Sequence, residues 1–153
     1  MNKQSVFVIV VIAVLLGASC KKDKDENNNT VNVSEKTKLI TGGGAKGWLF
    51  VSAKKDNVET LENCQKDNLY VYKTDKSLIV DEGATKCAAN DPQAVAATWS
   101  FNAAEDSVSY NLAGSIEKYK IVVLTDKDMQ LNTLDTVLGA GTVYTYTISF
   151  KAQ

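Results

Sequence analysis

From Gly47 to the C-terminus the chain alternates apolar and polar residues in short runs, and turn residues separate those runs. A period of two sends successive side chains to opposite faces, which is the pattern of a strand and not of a helix. The runs are Gly47–Lys54, Asn68–Thr74, Lys76–Glu82, Ala97–Asn102, Ser107–Leu112, Ile116–Thr125, Met129–Leu134 and Thr142–Lys151. Several junctions are rich in Asp, Glu and Gly: Thr74-Asp75-Lys76, Glu105-Asp106, Ala113-Gly114, Asp126-Lys127-Asp128 and Gly139-Ala140-Gly141. Strand candidates joined this closely predict an all-β chain, an antiparallel up-and-down meander. About eight strands is the number that closes into a barrel able to fill itself or to hold one small ligand. Closure also removes the sheet edges that an exported protein must otherwise protect.

Three local expectations refine the meander. In the first run, alternation sets Trp48, Phe50 and Ser52 on one face and Leu49, Val51 and Ala53 on the other. Val58 and Leu61 stand at helical spacing within Asp56–Glu62, which predicts one short helix there. Gly83–Ala94 reads as a loop, with Asn90-Asp91-Pro92 as its turn.

The inventory of side chains narrows the chemistry. The 17 basic residues are all lysine, against 18 acidic ones, and there is no histidine. A near-neutral balance without arginine argues against a nucleic-acid partner. The missing histidine removes the commonest general base and metal ligand, so Ser-His-Asp triads and most zinc sites are excluded. Gly42-Gly43-Gly44 is followed by Ala45-Lys46-Gly47-Trp48, without the Gly-Lys-Ser/Thr ending of a phosphate-binding loop, and reads as a flexible lead-in to the first strand. Asp81-Glu82 and Glu105-Asp106 are neighbours in sequence, so on a strand they face opposite ways and suit turns better than a paired-carboxylate active site. The expectation is a protein that is not an enzyme and carries no cofactor or metal.

The N-terminus predicts an address. Lys3 precedes an apolar run, Val6–Leu16, too short to span a bilayer but right for a signal peptide. Gly17-Ala18-Ser19-Cys20 then resembles a lipobox, which implies cleavage before Cys20 and a diacylglyceryl group on it. Residues 1–19 are thus expected as a lipoprotein signal peptide, 20–38 as a lipid-anchored tether and 39–153 as the barrel. Lys21–Ser34 is charged and asparagine-rich, with too little apolar surface to order itself. Lysine and acidic residues just after Cys20 fit both a plain spacer and a surface-export signal. The expected location is the outer membrane, on its periplasmic face or at the cell surface.

Cysteine arithmetic follows. With Cys20 taken by lipid, Cys64 and Cys87 remain, an even pair in an oxidising compartment, and a disulfide between them is expected. The hairpin Asn68–Glu82 returns the chain to its starting end, so the cysteines flanking it come back together.

These residues resemble a family. Cys64-Gln65-Lys66-Asp67 before a strand, Gly83-Ala84-Thr85-Lys86-Cys87 after a hairpin and Thr98-Trp99-Ser100-Phe101 beyond are similar to the lipocalin-like domain of Bacteroidetes lipoproteins. Gly47-Trp48 in the first strand resembles the start of a lipocalin barrel, without the spaced Gly-x-Trp or the arginine of true lipocalins. The likeness runs from about Leu39 to Phe150 and implies a lipocalin-like barrel.

Two functional expectations stand beside each other. In one, Trp48, Phe50, Tyr70, Tyr72, Trp99, Phe101 and Tyr110 line an apolar cup for a small hydrophobic ligand in a monomeric barrel. In the other, these aromatics fill the barrel, and the protein is a surface or structural lipoprotein that meets other proteins. Asp106-Ser107-Val108 and Asp135-Thr136-Val137 also resemble a bacterial O-glycosylation motif, a pattern short enough to arise by chance.

Overall fold

The computed structural model describes residues 33–136 and 143–153. The segment expected to be a signal peptide, Cys20, most of the expected tether, the Gly139-Ala140-Gly141 junction and Thr142 lie outside the described residues.

The architecture is a closed antiparallel meander of eight strands with one short helix. The helix, α1, spans Glu35–Thr41, and the strands are β1 (Ala45–Lys55), β2 (Val58–Glu59), β3 (Leu69–Lys73), β4 (Ser77–Asp81), β5 (Ala94–Phe101), β6 (Ser107–Leu112), β7 (Ser115–Leu124), β8 (Asp128–Thr136) and β9 (Val143–Ala152). From β3 to β9 each strand pairs with its sequence neighbour, and β1 joins β3 on one side and β9 on the other, closing the barrel. The two-residue β2 is a flap on β1.

The helix is not where the Val58–Leu61 spacing puts it. Asp56 and Asn57 both adopt positive φ, 48° and 69°, and fold β1 back on itself as a hairpin. Asp and Asn tolerate that conformation far better than most residues, so the turn chemistry overrides a weak helical period. The Glu59 carboxylate then fastens the hairpin, accepting from Ser52 Oγ at 2.6 Å, Ala53 N at 2.9 Å and Leu61 N at 3.1 Å. These bonds, led by the serine hydroxyl, pull its pKa down to about 2. The only helical structure nearby is a single 3₁₀ turn, Asn63–Gln65.

Helix α1 forms instead from Glu35–Thr41, beginning upstream of Leu39. Ser34 caps it, its hydroxyl accepting from Thr37 N at 3.1 Å, and Glu35 places a negative charge in the first turn. Gly42 ends it in the left-handed conformation, φ 61°. The glycine run is thus a helix stop rather than only a flexible lead-in.

The inward face of the barrel carries the core. Ile40, Trp48, Tyr72, Leu78, Trp99, Val108, Met129, Leu131 and Phe150 are almost completely buried. Alternation holds through most strands, with one correction. The β1–β9 register slips between Phe50 and Ser52. This bulge turns Ala53, opposite Ile148, into the core and leaves Ser52 bonded to Glu59 at the surface. A second slip, between Ile121 and Val123 in β7, keeps Ile121 and Leu124 on the core side.

Cys64 and Cys87 are bonded, with Cα atoms 5.1 Å apart. The motif around them has a definite task. Asp67 takes the N–H groups of Ala84 and Thr85, each at 2.9 Å, and so ties the loop after β4 to the turn before β3. Desolvation opposes ionisation of Asp67, but the N–H groups of Thr85 and Ala84 outweigh it and hold its carboxyl below the ordinary range. Gly83 makes this approach possible: its φ is +68°, and a Cβ there would stand 2.5 Å from the Asp67 carbonyl oxygen. Gly83→Ala is therefore expected to destabilise the fold by about 2 kcal/mol or more, since both the strained φ and the backbone clash oppose it. A chemical-denaturation midpoint equal to the parent's contradicts this.

Candidate functional site

One end of the barrel is shut. Helix α1 lies across the start of β1, the end of β3 and the end of β7. The bonds that seat it come from conspicuous side chains. Trp48 donates its indole N–H to the Ile40 carbonyl at 2.8 Å, in a buried position. Lys46 reaches the carbonyls of Leu39 at 3.0 Å and Asp126 at 2.6 Å while its ammonium lies 4.2 Å from the Trp48 ring centroid. Lys76 bonds Thr37 Oγ1 at 3.3 Å and sits 4.0 Å from the centroid of Trp99. Partial burial lowers the pKa of both lysines, against the pull of Asp126 on one and Glu105 on the other. Two ammonium groups on two indole faces thus rivet the helix over the barrel end.

The middle is full. Trp99 packs edge-on to Tyr72 and to Phe101, with centroids 5.7 and 5.2 Å apart, and its N–H reaches the Lys73 carbonyl. The hydroxyls of Tyr72 and Tyr110 share a 2.6 Å hydrogen bond inside the barrel. Burial raises the pKa of both, so the pair stays protonated. Phe50, Tyr70 and Phe150 form a second aromatic group, with centroids 5.0 to 5.8 Å apart. The seven aromatics singled out from sequence therefore come together, six of them in ring contact as two groups. Trp48, Tyr72 and Trp99 are at most 2% exposed. Tyr70 and Phe101 are half-buried, and Phe50 and Tyr110 keep only a sliver of surface.

Toward the other end, among the described residues, the wall parts. The β7–β8 ladder stops at the pair Lys120–Asn132. Below it β7 continues back to Ser115 alongside β6, while β8 runs on to Thr136 alongside β9. Between the parted strands lies a cleft of about 600 Å³, lined by Ile116, Glu117, Lys118, Tyr119, Thr133, Tyr146 and Ile148. Glu117 and Tyr119 share the core-facing phase of β7, as Thr133 does on β8 and Tyr146 and Ile148 on β9. Ile116 and Lys118 meet the cleft from the outer face. Tyr119 donates its hydroxyl to Glu117 Oε2 at 2.7 Å and packs 5.4 Å from Tyr110. Desolvation and this carboxylate both raise the Tyr119 pKa. On the opposing wall the Lys55 ammonium rests 3.6 Å from the Tyr144 centroid and 5.6 Å from that of Tyr146. Tyr70 stands in the same negative field: burial, then Glu82 and Glu117, push its pKa up to about 12.

None of the residues lining the cleft is among the seven aromatics singled out from sequence, and none was foreseeable as a site. The period of two in Ile116–Thr125 puts Glu117 and Tyr119 on one face, but the sequence carries no sign that β7 and β8 separate. The remaining motifs resolve into structural tasks. Asp81 accepts from Gly83 N and from the Gln93 amide, and Asp106 from Asn102 and Ser107, so both carboxylates hold turns. Glu62, Cys64 and Cys87 lie close enough to share an ion, but the two sulfurs are bonded to each other. Ser107 opens β6 with its hydroxyl on Asp106, and the Thr136 side chain and Val137 are outside the described residues. No protein-family model, curated protein or solved structure matches the chain.

Proposed function

We propose that this chain is a lipid-anchored lipoprotein of the lipocalin-like kind, non-catalytic and monomeric, which holds a small, largely apolar ligand at the open end of its barrel. The observation that carries the reading is the asymmetry of the barrel: one end is closed by α1 and filled with aromatics, while the other keeps a cleft of about 600 Å³ between parted strands. That volume falls in the range of small-molecule sites, and its lining mixes two phenol rings, a hydroxyl and two isoleucines with one carboxylate and one lysine. None of the seven aromatics first picked as a ligand cup lines this cleft; they pack the barrel, with Tyr110 against the cleft residue Tyr119. The anchor reading rests on the apolar run ending in Gly17-Ala18-Ser19-Cys20.

A second reading, a surface lipoprotein that binds other proteins, draws on Leu112, Ile116 and Val122, which are 44–61% exposed on β6 and β7. One preparation tests both. The full chain is extracted from outer membranes in mild detergent, its intact mass is measured, and small molecules released by organic solvent are identified. The expected result is a diacylglyceryl mass on Cys20 and a stoichiometric small molecule, with Cys20→Ala lost from the membrane fraction. An unmodified Cys20 overturns the anchor, and an empty barrel accompanied by a stoichiometric protein favours the second reading.

A further inference from the structure

The geometry points to an organic ammonium, a positively charged amine carried on an apolar or aromatic body, as the class of ligand the mouth cleft takes; this rests on the reading of the cleft as a ligand site. Among the described side chains, Glu117 is the one carboxylate that lines the cleft; the inward-facing charge across from it, Lys55, lies opposite Tyr146 and is already seated on the Tyr144 ring. The phenol beside it is already committed as a donor, since Tyr119 gives its only hydroxyl proton to Glu117 Oε2 at 2.7 Å. What this corner still offers is lone pairs: the rest of the carboxylate and the phenol oxygen. A ligand that completes it must bring N–H donors and favour positive charge.

The surroundings agree. Glu82 adds to the negative field that Glu117 sets up around Tyr70. Two lysines stand near the cleft and would oppose a cation. Lys55 is held on the face of Tyr144, and Lys118 points to the outer face of β7, where it is exposed. The apolar part of the ligand then lies along Tyr146 and Ile148, both half-buried and both lining the cleft. An anionic ligand of the same shape would meet Glu117 with like charge, and a neutral one would leave the carboxylate to water.

The test uses the full chain in mild detergent and three probes of one shape: 4-phenylbutylammonium, its neutral N-acetyl derivative and the anion 5-phenylpentanoate. Isothermal titration calorimetry is expected to give the ammonium at least about tenfold tighter binding than either of the others, the scale of one charge-assisted contact. Glu117→Gln should erase that preference while the neutral probe binds as before; because Glu117 is exposed, its melting temperature should stay at the parent's value. Thr133→Trp, which fills the cleft, should abolish binding of all three. Equal affinity for the three probes, or a preference that survives Glu117→Gln, overturns the ammonium assignment and leaves the cleft a ligand site. Failure of every probe to bind the parent, or binding that Thr133→Trp leaves intact, overturns the cleft as a ligand site as well.

Discussion

Trp48→Ala is expected to lower the melting temperature by roughly 10–20 °C, the equivalent of about 3–5 kcal/mol in a domain of this size. Two losses combine. The indole is fully buried among the core side chains, and deleting it leaves a cavity that neighbouring strands cannot close. The Ile40 carbonyl also loses its buried donor, and Lys46 loses the ring it rests on, so α1 is released from the barrel end. Trp48→Phe separates the effects: it restores most of the packing but not the hydrogen bond, and should cost only about 1–3 kcal/mol. Thermal unfolding followed by circular dichroism checks both. If Trp48→Ala melts within about 2 °C of the parent, the helix does not close the barrel as described.

Cys64→Ser with Cys87→Ser should cost roughly 2–4 kcal/mol. The two cysteines are 23 positions apart, and the bridge removes the freedom of the intervening chain in the unfolded state. In the folded state it stands beside a second tie, Asp67 on the N–H groups of Ala84 and Thr85. The loss should therefore fall mainly on overall stability, with the local geometry of the loop partly preserved by Asp67. Urea unfolding of the double variant, beside non-reducing peptide mapping of the parent, tests this. Two free thiols in oxidised parent protein, or an unchanged unfolding midpoint, contradict it.

Much of this barrel is written in local patterns. Period-two alternation located the strands because each buries one face, and a slip of one residue would expose every core side chain. The disulfide followed from an even cysteine count and a hairpin that returns its ends. Two features escaped for definite reasons. The helix expected at Val58–Leu61 lost to Asp56-Asn57, whose tolerance of positive φ makes a hairpin there, while the actual helix at Glu35–Thr41 is short and announced mainly by Ser34 and Gly42. The inward turn of Ala53 depends on a bulge, which arises from the pairing of β1 with a strand about a hundred residues away and leaves no local signature.

The candidate site divides the same way. Aromatic content flagged Trp48, Tyr72 and Trp99, but aromatics serve packing and binding alike, and here the largest of them close the barrel. Thr133 and Tyr146 are cross-strand partners on β8 and β9, but the space between them and Glu117 exists only because β7 and β8 separate below Lys120–Asn132. That separation is a property of two strands together.

The proposed confinement of ligand access to one end of the barrel can be measured directly. The chain has two tryptophans, and both indole N–H groups lie at or near the closed end, bonded to Ile40 and Lys73. In a two-dimensional ¹⁵N–¹H spectrum they give two signals apart from the backbone. Titrating 4-phenylbutylammonium into labelled protein should shift the amides of Glu117, Tyr119, Thr133, Tyr146 and Ile148 together, with both indole signals fixed. Movement of the indoles with a quiet mouth would place the ligand under the helix and contradict the account.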